Sequence, residues 1–281
     1  MSVGRIAVVG GGRMGSGIAQ VFAERGAEVL LADADAALAE AAVGRIRDAL
    51  ETAQRKGYAV APAAEVAARL TPIAGHAAIP TEIDLVIEAV PELPELKDEV
   101  LGALGAALPD RVVIASNTSS ISIATLAASV ARPERFLGMH FFNPVPRSSL
   151  VELVRGPATD DDTVARATAW VETIERTPIV VSDAPGFASS RLGVLLGLEA
   201  IRMVEEGVAS AEHIDQAMTL GYGHPMGPLH TTDLVGLDVR LDIASYLQRE
   251  LGDRFAPPQL LRDMVAEGRL GRKVGRGFFD W

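Results

Sequence analysis

The chain has no cysteine among its 281 residues. Disulfides and thiol nucleophiles are therefore excluded, and a reducing cytoplasm is the expected compartment. Aromatic residues are scarce, at 5 %, while apolar residues make up 48 %. That balance suits a close-packed α/β protein built on Ala, Val and Leu. No apolar run is long enough to cross a bilayer. The short apolar run near the N-terminus includes Arg5 and is closed by glycines, so it reads as a first strand and not as a signal peptide. Bases are outnumbered, 26 against 37 acids, giving a net charge of −11. This argues against a nucleic-acid partner. Any anion site must then be a local basic cluster. Internal repeats and low-complexity tracts are lacking, and the length suffices for a large core or two.

What the chain does have begins at Arg5. Ile6-Ala7-Val8-Val9 reads as a buried parallel strand. Gly10, Gly12 and Gly15 follow in the G-x-G-x-x-G spacing, around Gly11, Arg13 and Met14. A helical pattern then places Met14, Ile18, Val21 and Phe22 on one face. The first glycine permits a tight turn, the second lets a phosphate approach the backbone, and the third lets helix and strand lie close. The helix N-terminus offers free N–H groups to a pyrophosphate. A second strand, Glu28 to Ala32, ends in Asp33. An acid there accepts from the adenosine ribose and repels the extra phosphate of NADP, so NAD is expected. Asp35 is available to cap the following helix.

Helical and strand patterns then alternate. A long Ala-rich helix is expected from Ala36 to about Lys56, with Arg45 and Lys56 eleven apart on one face. From spacing alone that face is solvated. A helix and a strand are expected within 61–80, strands at 84–90 and 111–115, and a helix from Pro94 to Ala107. Ser116-Asn117-Thr118-Ser119-Ser120 lies at the carboxyl end of a buried strand, where open α/β sheets bind ligands. Ser119 or Ser120 is expected to cap a helix as well. Further strands are expected at 135–142, 150–154 and 179–181, with a helix at 161–174. The expected fold is α/β, a Rossmann-type doubly wound, mostly parallel sheet over residues 1–183. Residues 184–281 read as helices only, at 188–206, 211–220, 234–251 and 257–267. The 188–206 helix is apolar on more than one face, which predicts a homodimer through this domain. The tail, Gly271 to Phe279, is basic and Gly-rich; it is either solvated or in touch with a ligand.

Of the five histidines, His76, His213, His224 and His230 read as structural. His140 closes a buried strand. Glu152 sits between Val151 and Leu153, where an ionisable group needs a partner. If residues 143–149 turn the chain back, Glu152 faces His140. A glutamate on one imidazole nitrogen leaves the other as an oriented proton acceptor. No second histidine stands at ligand spacing, so no metal is expected.

The sequence resembles the L-3-hydroxyacyl-CoA dehydrogenase family, particularly its short bacterial 3-hydroxybutyryl-CoA members. The similarity runs through GGGRMGSGIAQ (Gly10–Gln20), SNTSS (Ser116–Ser120), GMHFFNPVP (Gly138–Pro146), LVEL (Leu150–Leu153), HPMGPL (His224–Leu229) and LGRKVGRGF (Leu270–Phe278). The resemblance implies that His140 is the catalytic base and Glu152 its orienting partner. It implies that Ser119 and Asn143 contact substrate and nicotinamide. Gly10, Gly12, Gly15, Asp33, Glu92, Lys97 and Lys273 match its dinucleotide site, and Lys56 a lysine near the CoA phosphates. An acyl-CoA would be the substrate and NAD the hydride acceptor.

The chain departs from the family pattern at three points. Ser190 stands where the family has an asparagine that helps hold the active-site geometry, and it is assigned to the substrate site here. Ser149 and Thr52 stand in place of lysines. A dehydrogenase of a non-CoA hydroxy acid or sugar acid, and a non-catalytic NAD-binding protein, are the alternatives. The Lys56 and GMHFFNPVP matches argue against the first, and the intact His140 and Glu152 against the second.

Overall fold

Short runs of Val, Ile, Leu and Ala, bounded by Gly, Pro and Asp, fold into eight strands. In the computed structural model, which describes residues 4–281, these are β1 (Arg5–Val9), β2 (Glu28–Asp33), β3 (Leu70–Ala74), β4 (Leu85–Glu88), β5 (Val113–Ser116), β6 (Phe136–Phe141), β7 (Leu150–Arg155) and β8 (Thr177–Ser182). They form one sheet in the order β3-β2-β1-β4-β5-β6-β7-β8. All neighbours are parallel except β6 and β7, which run antiparallel. Every residue of β4, β5 and β6 is buried, as apolar strands covered on both faces must be. The order reverses between β1 and β4, which places the ligand crevice at their carboxyl ends.

Six helices join these strands: α1 (Arg13–Glu24), α2 (Ala36–Arg55), α3 (Ala63–Ala67), α4 (Pro94–Ala107), α5 (Ile123–Ala127) and α6 (Asp161–Thr173). Asp35 caps α2 by accepting from the Leu38 N–H at 2.8 Å, which leaves Asp33 free of that duty. Ser122, and not Ser119 or Ser120, caps α5. Pro94 opens α4, where its missing N–H costs nothing. The chain divides into two compact units, Met1–Ala184 and Pro185–Trp281. The doubly wound, mostly parallel sheet and the helical C-terminal part expected from the sequence are both present.

The second unit contains α7 (Ser189–Glu205), α8 (Ala211–Gly221), α9 (Pro228–Val235), α10 (Leu237–Leu251) and α11 (Gln259–Ala266). Val194, Leu198, Ile201, Leu229, Leu247 and Leu261 form its core. The single helix expected at 234–251 is instead divided. Gly236, at φ +103°, breaks it, and the segment before it is a separate helix opened by Pro228. The tail is exposed over residues 272–276, but its end is anchored within its own unit. Phe278 and Phe279 donate their N–H groups to the buried Asp233 carboxylate at 2.9 and 3.0 Å, and Trp281 Nε1 donates to it at 2.9 Å.

Candidate active site

The glycine loop joins β1 to α1 at the sheet's switch point. Gly10 takes φ +101°, reachable at no steric cost only without a side chain. A side chain at Gly15 would strike the Gly10 carbonyl, so glycine there is what lets α1 lie against β1. A side chain at Gly11 would come within 2.6 Å of Ala42 and 2.9 Å of Asp33. At Gly12 nothing stands within 4 Å, which leaves open space above the backbone where a phosphate would lie. Arg13 and Met14 open α1, with Arg13 exposed and Met14 half-buried.

Asp33 ends β2 and faces the loop. Its Oδ2 accepts from the Gly11 N–H at 2.9 Å and its Oδ1 from the Ala34 N–H at 2.7 Å. A carboxylate has lone pairs beyond these two, so ribose hydroxyls can still be accepted. Arg45 donates to the Gly11 carbonyl at 2.7 Å. The spacing placed Arg45 on a solvated face; instead it clamps the glycine loop. Lys56, on the same helix face, is the exposed cap of α2. The open cradle, the free helix N-terminus and the acid beyond it fit a dinucleotide.

A second constellation grows from the ends of β4 and β5. Lys97 on α4 is wholly buried, and Nζ donates to Glu88 Oε1 at 2.7 Å. Ser116 Oγ donates to Glu88 Oε2 at 2.5 Å. Lys97 also pairs with Glu92 Oε2 at 3.3 Å. Glu92 Oε1 in turn accepts from Thr118 Oγ1 at 2.6 Å and from the Ser119 and Ser120 N–H groups at 2.9 and 3.2 Å. Burial works to raise the Glu92 carboxyl, but the Lys97 ammonium and the bonds from Thr118 and Ser119 outweigh it and hold it below its ordinary value. Glu92 therefore shapes the loop carrying Ser119. Lys97 lies beneath it as the buried counter-charge, so it supports the loop without being open to a ligand.

The third element is the one antiparallel pair. In β6 and β7, His140 and Glu152 stand directly opposite in register. His140 Nδ1 and Glu152 Oε2 are 2.8 Å apart, with Glu152 wholly buried and His140 at 7 % exposure. The Phe142 ring lies 4.5 Å from the imidazole. Asn117, at the end of β5, accepts from the Phe141 N–H at 2.9 Å and so ties β6 to the polar loop. Asn143 follows β6 and is exposed. Because β7 runs backwards, its early residues lie at the same sheet edge as the late residues of β6.

Two sequence models, for the 3-hydroxyacyl-CoA dehydrogenase NAD binding domain and for that enzyme's C-terminal domain, match residues 5–184 and 186–281. The chain belongs to the 3-hydroxyacyl-CoA dehydrogenase family. It is thus an NAD-dependent oxidoreductase. Curated relatives agree along the whole length. A probable 3-hydroxybutyryl-CoA dehydrogenase of Bacillus subtilis is 41 % identical, covering 100 % of this chain and 98 % of its own. A 3-hydroxybutyryl-CoA dehydrogenase of Mycobacterium tuberculosis is 42 % identical, covering 100 % and 99 %. The crystal structure of (S)-3-hydroxybutyryl-CoA dehydrogenase from Ralstonia eutropha superposes with a TM-score of 0.93, at 40 % identity, over 99 % of this chain and 98 % of that one.

Two further residues assigned to ligands belong to the helical unit of this family member. Lys273 is paired with Asp238 on α10, and Ser190 lies in the first turn of α7. Sequence reasoning missed Glu88. Its signal was an acid inside an apolar strand, the same signal that singled out Glu152. Among the described residues, no group of three or more His, Asp or Glu side chains is placed to hold a metal.

Proposed function

We propose that the chain oxidises a (3S)-3-hydroxyacyl-CoA, with 3-hydroxybutyryl-CoA as substrate, to the 3-oxoacyl-CoA, and catalyses the reverse reduction. The observation that carries this is the buried His140–Glu152 pair, 2.8 Å apart and in direct cross-strand register. The Glu152 carboxylate accepts from His140 Nδ1, which fixes the ring and leaves Nε2 to take the proton of the 3-hydroxyl. As that proton leaves, the hydroxyl carbon becomes a ketone. NAD, when bound, supplies the hydride acceptor. Gly10–Gly15 and Asp33 would hold the dinucleotide, and the Ser119 loop, shaped by Glu92, would orient the reacting end with Asn143. Lys56 would face the CoA phosphates, and Ser190 would help position the substrate.

The same proposal includes a homodimer through the helical unit. On α7, Val194 and Leu198 are buried, but Leu192 is 68 % and Leu195 37 % exposed, a second apolar face that a two-fold partner would cover. Light scattering is expected to return twice the 29.6 kDa of one chain. No helix among the described residues is long and apolar enough to cross a membrane, and a cytoplasmic enzyme is the proposed setting.

The deciding experiment follows NADH oxidation with acetoacetyl-CoA beside free acetoacetate. The thioester should be reduced and the free acid should not. Replacing His140 by Gln should then lower kcat by ~10²–10⁴ without changing NADH binding. Turnover of the free acid alone would transfer the assignment to a non-CoA hydroxy acid.

A further inference from the structure

A charge imbalance lies buried where the order of the sheet reverses. Glu88 is the last residue of β4, in register with Val9 of β1 on one side and Ser116 of β5 on the other. Its neighbour Ala89 abuts the glycine loop, since a side chain at Gly10 would come within 2.7 Å of the Ala89 carbonyl. Glu88 therefore stands at the floor of the ligand crevice. Its side chain and that of Lys97 are wholly buried, while the Glu92 side chain is 35 % exposed.

The hydrogen bonds fix the charge of each group. Glu88 Oε1 accepts from Lys97 Nζ at 2.7 Å and from the Val90 N–H at 2.8 Å, and neither partner can accept in return. Glu92 Oε1 accepts from the Ser119 and Ser120 N–H groups, which likewise only donate. Both are carboxylates. Lys97 Nζ has three acceptors for the three hydrogens of an ammonium: Glu88 Oε1, Glu92 Oε2 at 3.3 Å and the Val90 carbonyl at 3.5 Å. Two anions thus share one cation, and among the described residues neither carboxylate pairs with another cation. The backbone N–H groups offset part of the excess, but only as dipoles. An unbalanced charge held away from water is costly, so the crevice above this one favours a cation.

We propose that Glu88 makes this network net negative and thereby sets the balance between the two states of the cofactor, strengthening binding of the oxidised dinucleotide, whose nicotinamide ring is cationic, relative to the reduced one, whose ring is neutral. Glu88 is sealed from ligands and acts through its field, not through contact. The adenosine, the riboses and the pyrophosphate are common to both states, so their interactions with the network cancel in the ratio of affinities. The proposal rests on the reading above that the Ser119 loop holds the reacting end of the dinucleotide.

Glu88→Gln removes the charge and keeps the shape. The amide oxygen can still accept from Lys97 and Val90, and the amide N–H can donate to Ser116 Oγ, whose lone pairs are able to accept. Ser116→Ala is the control, since it removes a hydrogen bond to Glu88 but no charge.

The test titrates the intact enzyme, without acyl-CoA, with NAD, NADH and ADP-ribose, which lacks the nicotinamide. In Glu88→Gln the ratio of Kd for NAD over Kd for NADH should rise on the order of tenfold, as a buried charge acting at an effective dielectric constant of about 20 allows. ADP-ribose should follow NADH, because neither carries the ring charge. Ser116→Ala should hold the ratio within about twofold of wild type, as no charge is lost. An unchanged ratio in Glu88→Gln overturns the proposal. If all three ligands shift alike, the network lies beneath their common part, and the reading of the Ser119 loop fails with it. A Ser116→Ala ratio that rises as far as that of Glu88→Gln assigns the effect to shape and also overturns the proposal. Should Glu88→Gln not fold, Glu92→Gln removes the same charge from the other end of the network and must raise the ratio; an unchanged ratio there is equally fatal. Wild type that binds both nucleotides yet leaves acetoacetyl-CoA unreduced overturns the acyl-CoA assignment, while the affinity ratio still decides the role of Glu88.

Discussion

Replacing Glu152 by Gln isolates the charge of the proposed dyad from its shape. The amide has nearly the volume of the carboxyl group, and its oxygen can still accept from His140 Nδ1 across the 2.8 Å gap. What disappears is the negative charge opposite an imidazole that becomes cationic once it takes the substrate proton. For charges about 4 Å apart at an effective dielectric constant of about 20, that attraction is about 4 kcal/mol. The amide returns part of it through a neutral hydrogen bond, worth about 0.5–1.5 kcal/mol. The net loss is about 3 kcal/mol, or about 10²-fold in kcat. Stopped-flow NADH oxidation at saturating acetoacetyl-CoA measures it, and direct fluorescence titration gives the NADH Kd, which should stay within about twofold. Tm should change little, since no cavity is created. A kcat within threefold of wild type would refute the reasoning, and so would a fall matched by an equal loss of NADH affinity.

Three other outcomes are expected. Asp33→Asn keeps an acceptor for the Gly11 N–H but removes the charge that repels a 2′-phosphate, so the ratio of kcat/KM for NADH over NADPH should fall by about tenfold or more; an unchanged ratio removes Asp33 from cofactor choice. Gly15→Ala forces a methyl group into the Gly10 carbonyl and to within 3.3 Å of Val8, which should cost about 1–3 kcal/mol in urea unfolding and weaken NADH binding; wild-type stability would show that α1 shifts freely. Glu92 titrates below its ordinary value in the folded chain, so its stabilisation is present above about 4.5 and is lost as pH falls through the folded value; Glu92→Gln should flatten the acid limb of a Tm–pH curve, and parallel curves would exclude the effect.

The parts of the site built from local chemistry were legible in the sequence. The β1–glycine–α1 unit is legible because each glycine has its own steric reason. The His140–Glu152 pairing is legible because an acid inside an apolar strand demands a partner, and it meets His140 if the connection at 143–149 turns the chain back. Contacts between distant segments were not legible. Arg45 has the spacing of a solvated residue, and only the packing of α2 beside the loop brings it to Gly11. The α9–α10 boundary was hidden because apolar spacing runs through Gly236, whose positive φ is a tertiary outcome. The tail's glycines carry no helical or strand period. For Gly271 and Gly277 the reason is Asp233, against which a side chain at either would collide.

The bond between Asp33 and the Gly11 N–H has a consequence for redesign. One carboxylate serves two halves of the dinucleotide: it would choose the adenosine ribose, and it braces the turn that would meet the pyrophosphate. Cofactor choice and cofactor grip are therefore not separable traits at this position. A change to Ala or Gly, made to admit a 2′-phosphate, also strips an acceptor from a buried peptide and slackens the turn. Redesign toward NADP would have to keep that acceptor while discarding its charge, and supply the new cation from a neighbouring position such as Ala34.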